Sequence, residues 1–153
     1  MTIEQIIAQY GDPLFRLCCV VLKNEGDAED AVQETFIQYY QKAPAFTSTE
    51  HEKAWLFKVA ANKCRDQLRF RSRHSHIDLD SIQALAPEVQ DKDILLALME
   101  LPEKQRLVLT LHYVEGYTTA EIAKIIGKSP SAVKMRLQSG RKRLEELYRK
   151  EYL

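Results

Sequence analysis

Apolar residues recur along this chain at helical rather than strand spacing. Between Asp27 and Lys42, the residues Ala28, Ala31, Val32, Thr35, Phe36 and Tyr39 fall on one helix face, which predicts a buried stripe there. Upstream, Asp12-Pro13 reads as an N-cap with proline at the first helical position. That predicts a helix from Pro13 to about Lys23 and a separate short one over 2–9. Asn24-Glu25-Gly26 reads as a turn, Asp27 as the cap of the second helix and Ala43-Pro44 as its stop. Thr49-Glu50-His51-Glu52 has the spacing of a capping box and opens a third helix to about Arg71. Residues 72–88 show no clear period and contain Pro87, as a linker would. Beyond it, helices are expected near Val89–Met99 and from Leu101-Pro102 to Glu115-Gly116. A second capping box, Thr118-Thr119-Ala120-Glu121, opens a short helix to Ile126. Gly127 makes the turn, Ser129 caps, and Pro130 begins a long final helix to about Lys150. The expectation is an all-α chain of two small helical domains, 1–72 and 89–153, whose separation is variable because the connection at 73–88 is flexible.

Composition supports helices. Leu and Ala together number 32 against 18 for Val and Ile, and Gly and Pro are only 5 each in 153 residues. The longest apolar runs, Leu17–Leu22 and Ile94–Met99, have six residues each, too short to span a bilayer, and Glu4 lies where a signal peptide would be cationic. Cys18, Cys19 and Cys64 are too few for a disulfide framework, and the first two sit inside an apolar run as packing residues. A reduced, cytoplasmic protein is expected.

The formal charge of zero hides an alternation. Residues 1–50 carry net −5, 51–73 net +5, 74–103 net −6 and 104–153 net +6. At a Debye length of about 8 Å a ligand feels its nearest block more than the sum. Two polyanion-binding surfaces fit this pattern, as do solvated helix faces.

Ala123, Gly127 and Val133 have the spacing of a helix-turn-helix: a small residue at the helix crossing, a residue tolerant of positive φ, and an apolar anchor. Val133, Leu137, Gly140, Leu144 and Leu147 then form the inner stripe of the last helix. Ser131, Lys134, Met135, Gln138 and Lys142 take the opposite face, where a recognition helix meets base edges. Arg136, Arg141, Lys142 and Arg143 are placed for phosphates. An ordinary antiparallel helix pair with a solvated basic face has the same spacing, but the capping box and surplus charge favour DNA.

On the third helix, Trp55, Lys58, Asn62, Arg65 and Arg69 share one face, and Leu56, Val59, Ala60, Cys64 and Leu68 the other. An aromatic ring beside a ladder of cations suits single-stranded or melting DNA; a half-buried tryptophan above a solvated stripe fits the spacing equally. On the second helix, Asp30, Gln33, Glu34 and Ile37 form an exposed face that reads either as solvated surface or as a protein-docking patch.

Taken together, three stretches resemble the bacterial sigma-70 family in its small extracytoplasmic-function (ECF) type: Asp27-AEDAVQETFIQYY-Gln41, Ala54-WLFKVAANKCRDQLR-Phe70, and Leu101–Glu145 with its EGYTTAEIAKIIGKSPSAVKMRL core. The resemblance implies sigma region 2 at 1–72 and region 4 at 89–153, binding core RNA polymerase and promoter DNA. It assigns docking on the β′ clamp helices to Asp30, Gln33, Glu34, Phe36 and Ile37, and a seat on the β-flap to Leu107, Leu109 and Leu111, which are expected to be partly exposed. It assigns minus-10 recognition and melting to the Ala45–Lys53 loop and to Trp55, Lys58, Asn62, Lys63, Arg65, Arg69 and Arg71. Minus-35 reading falls to Thr118, Ser129, Ser131, Lys134, Met135, Arg136, Gln138, Ser139, Arg141 and Lys142. Where the family usually carries Ala, Gly140 is expected to loosen the last helix by about 0.5–1 kcal/mol.

The resemblance also implies a membrane-anchored anti-sigma factor, which would wedge between the domains and hold this monomer at the inner face of the membrane. No catalytic constellation, Walker loop or dinucleotide loop is present in the sequence, and His74, His76 and Cys64 do not have metal-site spacing. No cofactor or metal is expected. The competing reading is a stand-alone helix-turn-helix regulator.

Overall fold

The computed structural model describes residues 2–69 and 92–152, and every described element is helical. The expected linker, Arg71, His74 and His76 lie outside the described residues.

The first helix, α1 (Ile3–Leu22), runs through the position where a break is expected. Thr2 caps it: its hydroxyl accepts from the Gln5 N–H at 3.2 Å, and Gln5 Oε1 accepts from the Thr2 N–H at 2.8 Å. The two helices predicted on either side of Asp12-Pro13 are one. Ile6, Tyr10, Leu14, Leu17 and Val21 are all buried and lie three or four residues apart, so the apolar stripe stays in register through Pro13. A proline inside a helix costs roughly 3 kcal/mol, whereas each fully buried aliphatic side chain contributes about 1.5–3 kcal/mol. Burial wins.

Lys23 ends α1 in the left-handed region at φ 55°. Asn24, rather than Asp27, caps α2 (Glu25–Lys42), its Oδ1 accepting from the Asp27 N–H at 2.8 Å, with Asp27 buried one turn in. α3 (Thr49–Arg69) is capped by Ser48, whose Oγ accepts from the His51 N–H at 3.0 Å. The box expected from Thr49 therefore does not form, since Glu52 falls one residue out of register. Its carboxylate accepts instead from the Tyr39 hydroxyl at 2.8 Å. α1, α2 and α3 pack pairwise into one bundle.

The second bundle comprises α4 (Lys92–Glu100), α5 (Glu103–Leu109), α6 (Thr119–Ile126) and α7 (Pro130–Tyr152). The regular helix expected up to Glu115 instead widens into a π-turn over Thr110–Val114. The Thr110 hydroxyl donates to the Arg106 carbonyl at 2.6 Å, competing for an acceptor of the regular ladder. The reciprocal box at Thr118 and Glu121 forms as expected, with bonds of 3.2 and 2.9 Å, and Gly127 ends α6 at φ 69°. Ser129 caps α7, accepting from the Ala132 N–H at 3.1 Å.

Two further expectations are overturned. Leu107, Leu109 and Leu111 are each 0–2% exposed, because α5 lies between α7 and α1 and no apolar face remains open. The bundles are also not loosely separated: α3 packs on α6, α1 meets α4 and α5, and one apolar cluster runs through both. Gly140 likewise proves to be a fitted residue. A Cβ there would stand 2.9 Å from Leu109 Cδ1 and 3.3 Å from Gln105 Cβ, so its missing side chain sets the α5–α7 crossing.

Gly140→Val should therefore destabilise the protein by about 1–3 kcal/mol through overpacking, read as a lowered urea midpoint at unchanged m-value. An unchanged midpoint would show that the crossing has slack.

Candidate nucleic-acid and docking surfaces

α7 divides cleanly. Val133, Leu137 and Gly140 are buried and Leu144 and Leu147 half-buried, while Ser131, Lys134, Met135, Gln138, Ser139, Arg141, Lys142 and Arg143 are exposed. Met135 is 70% exposed although nothing polar requires an apolar side chain to be there. Not every predicted residue is free to reach outward. Ser139 Oγ accepts from Gln105 Nε2 at 3.1 Å, Arg141 stacks over the Tyr113 ring at 5.9 Å, and Arg136 is half-buried. The Thr118 and Ser129 hydroxyls serve as helix caps. Lys134, Met135 and Gln138 are exposed near the N-terminal half of the helix, with Ser131 and Lys142 exposed beside them.

α3 is less uniform than its spacing suggests. Lys58, Asn62 and Arg69 are exposed, whereas Trp55, Lys63 and Arg65 are half-buried. Trp55 belongs to an aromatic cluster built by the 43–48 segment. Phe46 stacks on Tyr39 (6.1 Å) and meets His51 (5.2 Å) and Trp55 (5.8 Å) edge-on. Burial and the Glu52 carboxylate push the Tyr39 hydroxyl up to about 12, so it stays a proton donor. Around the rim of this cluster, His51, Ala54, Trp55 and Lys58 line a cleft of about 230 Å³ closed on its far side by Lys124 and Ile125 of α6.

On α2, Gln33, Glu34 and Ile37 are exposed and Asp30 half-buried. Phe36 is 8% exposed and faces the core, so it supports this patch from beneath and does not form part of it. Ile37, with Tyr40 beyond it, presents an unusually apolar solvent face at 54% and 78% exposure. Glu34 and Lys63 approach at 3.8 Å across a shallow groove of about 190 Å³. An exposed pair of that length is worth at most about 1 kcal/mol, which leaves both charges available to a partner.

Between the bundles runs a seam with no signature in the spacing. Arg16 of α1 grips Glu115 with two bonds of 2.8 Å, and Arg106 Nη2 donates to the Val21 carbonyl at 2.6 Å. Phe57 meets Tyr117 edge-on at 5.3 Å, with Lys53 Nζ 5.2 Å from the Tyr117 ring, and Arg65 Nη2 reaches the Ile126 carbonyl at 3.4 Å. Among the described residues no group of three or more side chains is placed to hold a metal, the three cysteines are buried and free, and no helix is long and apolar enough to cross a membrane.

Comparison with known proteins fits this geometry. The family model for Sigma-70 region 2 matches residues 6–74, and that for Sigma-70 region 4 matches residues 91–144. The ECF RNA polymerase sigma factor SigM of Bacillus subtilis is 32% identical over 157 residues, covering 97% of this chain and 96% of its own. The chain belongs to the ECF group of the sigma-70 family. SigW of Bacillus subtilis, another ECF sigma factor, is 28% identical over 163 residues, covering 94% of this chain and 87% of its own. Among solved structures, that of CnrH in complex with the cytosolic domain of CnrY superposes with TM-score 0.74 at 28% identity, over 97% of this chain and 88% of CnrH.

The spacing in this sigma factor's sequence placed the outer face of α7 and the Gln33, Glu34 and Ile37 face of α2 at the surface, where the structure has them. It carried no signal for Arg16, Glu115 or Tyr117, which meet only through the tertiary fold, and it reached Phe46 only as part of the 45–53 loop.

Because Trp55 is the chain's one tryptophan, it reports on its cluster directly. Phe46→Ala should shift Trp55 emission to longer wavelength and cost about 0.5–1.5 kcal/mol beyond lost area, with far-UV helicity unchanged. Unshifted emission would mean that Phe46 does not shield the indole.

Proposed function

We propose that this protein binds core RNA polymerase as a monomer and directs it to a set of promoters, acting as a dissociable specificity factor and not as an enzyme. The observation that carries the reading is the match to both sigma regions in order, on a fold that leaves charged faces open on α2 and α7. The Asp30, Gln33, Glu34 and Ile37 face docks on the β′ clamp helices, the sigma-family partner surface that suits an acidic patch with an isoleucine at its centre. The Phe46–Trp55 cluster with Lys58, Asn62, Lys63, Arg65 and Arg69 handles minus-10 DNA, rings stacking on bases and cations tracking phosphates. Lys134, Met135 and Gln138 read the minus-35 element, with Ser131, Arg141, Lys142 and Arg143 on the flanking backbone. Leu107, Leu109 and Leu111 leave the β-flap set, since they hold α5 in place. The test is transcription of genomic templates by purified core polymerase with and without the protein. Discrete start sites that need both support it, and dimeric binding to a palindrome without core would overturn it.

Two substitutions separate the surfaces. Glu34→Lys should weaken core binding at least tenfold in a titration while leaving helicity intact, because it reverses the charge of an exposed contact. Lys134→Ala should lower transcription by a factor equivalent to about 1–3 kcal/mol on promoters with a good minus-35 element and little on those without one. A uniform loss would show that Lys134 does not read sequence.

Control by an anti-sigma factor is part of the proposal, supported by the CnrH relative, which was solved in complex with the cytosolic domain of CnrY. A membrane-anchored inhibitor would hold the protein at the inner membrane face. Core polymerase and that segment should exclude one another, so a stoichiometric ternary complex on a sizing column would reject direct competition.

A further inference from the structure

α5 and its π-turn cross α7 at Gly140, and three residues spaced four apart meet three consecutive residues of α7. Gln105 Nε2 donates to Ser139 Oγ at 3.1 Å, Leu109 fills the space that Gly140 leaves, and the Arg141 guanidinium lies over the Tyr113 ring, 5.9 Å from its centroid. Successive residues are about 100° apart around a helix, so Ser139 and Arg141 flank Gly140 on opposite sides. α7 is thereby held against rolling about its own axis. Lys134, Gln138 and Arg141 are four and three residues apart and share one ridge. The flank resting on Tyr113 is therefore the one that continues the ridge assigned above to the minus-35 element.

Tyr113 is 52% exposed, so core burial does not account for a ring at this position. The π-turn gives it its place. There the Glu115 N–H reaches the Thr110 carbonyl, five residues back, at 3.1 Å, and the extra residue in that turn rotates Tyr113 back towards the row of Gln105 and Leu109. His112 meets the ring edge-on at 4.7 Å and is itself fixed, its Nδ1–H donating to the Tyr117 carbonyl at 2.8 Å. An aromatic ring takes up the flat face of a guanidinium and leaves the in-plane N–H donors to grip a phosphate. We infer that Tyr113 is a positioning residue for promoter binding: it holds Arg141 on the Lys134–Gln138 ridge, set for a backbone phosphate beside the minus-35 element. A guanidinium already in place loses less rotamer freedom when it meets DNA, which favours binding. The inference rests on the promoter-binding reading above, and adds to it a residue that acts only through Arg141.

The test uses the full chain with saturating core polymerase and a labelled duplex taken from a start site found in the transcription experiment above, titrated at several salt concentrations. Arg141→Ala should weaken binding about fivefold and reduce the slope of log affinity against log salt by about 1, as expected for one lost phosphate contact. Tyr113→Leu should weaken binding about threefold, while Tyr113→Phe, which keeps the ring, should match the wild type. In the Arg141→Ala background Tyr113→Leu should add nothing, since the ring then has no cation to hold. Circular dichroism checks folding, and Tyr113→Gln stands in, with the same expected direction, should Tyr113→Leu lose its helices. Full affinity in Tyr113→Leu, or losses that add in the double variant, would overturn the positioning role. A loss in Tyr113→Phe equal to that in Tyr113→Leu overturns the stacking, and an unchanged slope in Arg141→Ala overturns the phosphate contact. If no form gives core-dependent start sites, the sigma-factor reading itself fails, and the inference falls with it.

Discussion

One buried guanidinium fixes the relation of the two bundles. Arg106 is 4% exposed and donates to two carbonyls that no helix satisfies internally: Leu101, ahead of α5, at 2.7 Å, and Val21, in the last turn of α1, at 2.6 Å. A cation at the negative end of a helix is favourable, and hydrogen bonds to a charged group contribute about 1.5–3 kcal/mol each. With Arg106 seated there, α5 has only one place to lie. Its remaining faces must then be covered, by α1 on one side and by α7 on the other. α7 achieves this only because Gly140 lets it approach Leu109 closely. The burial of Leu107, Leu109 and Leu111 follows from that geometry.

This explains which features the sequence revealed. The Thr118–Glu121 box, the Gly127 turn and the Ser129-Pro130 start were legible because each is decided within about four residues. Pro13, Asp27 and Thr49 were misread for the opposite reason. Each is a valid local signal, yet the first was overruled by burial of the α1 stripe, and the other two by caps one to three residues earlier that satisfy the same orphan N–H groups. On α5 the pattern showed apolar faces without showing what covers them, and exposure was assigned where packing exists. The site divides in the same way. The outer face of α7 is a matter of period and was read correctly as exposed. Trp55 and Arg65 share a period with Lys58 and Arg69 but not an environment, because Phe46 and Ile126 arrive from other elements. Arg16 and Glu115 are 99 residues apart, and no spacing rule reaches that far.

The charge alternation takes on a meaning that the linear blocks did not have. The segments of net +5 and +6 contribute the cations of α3, α6 and α7, and the fold places part of both against one seam, so they do not point away from each other. Lys58 and Lys124 are both exposed, so water and salt screen most of the repulsion between them. Here that repulsion is tolerated beside an ion pair and a carbonyl-bound arginine on the α1 side, so attraction and repulsion act on different edges of one interface.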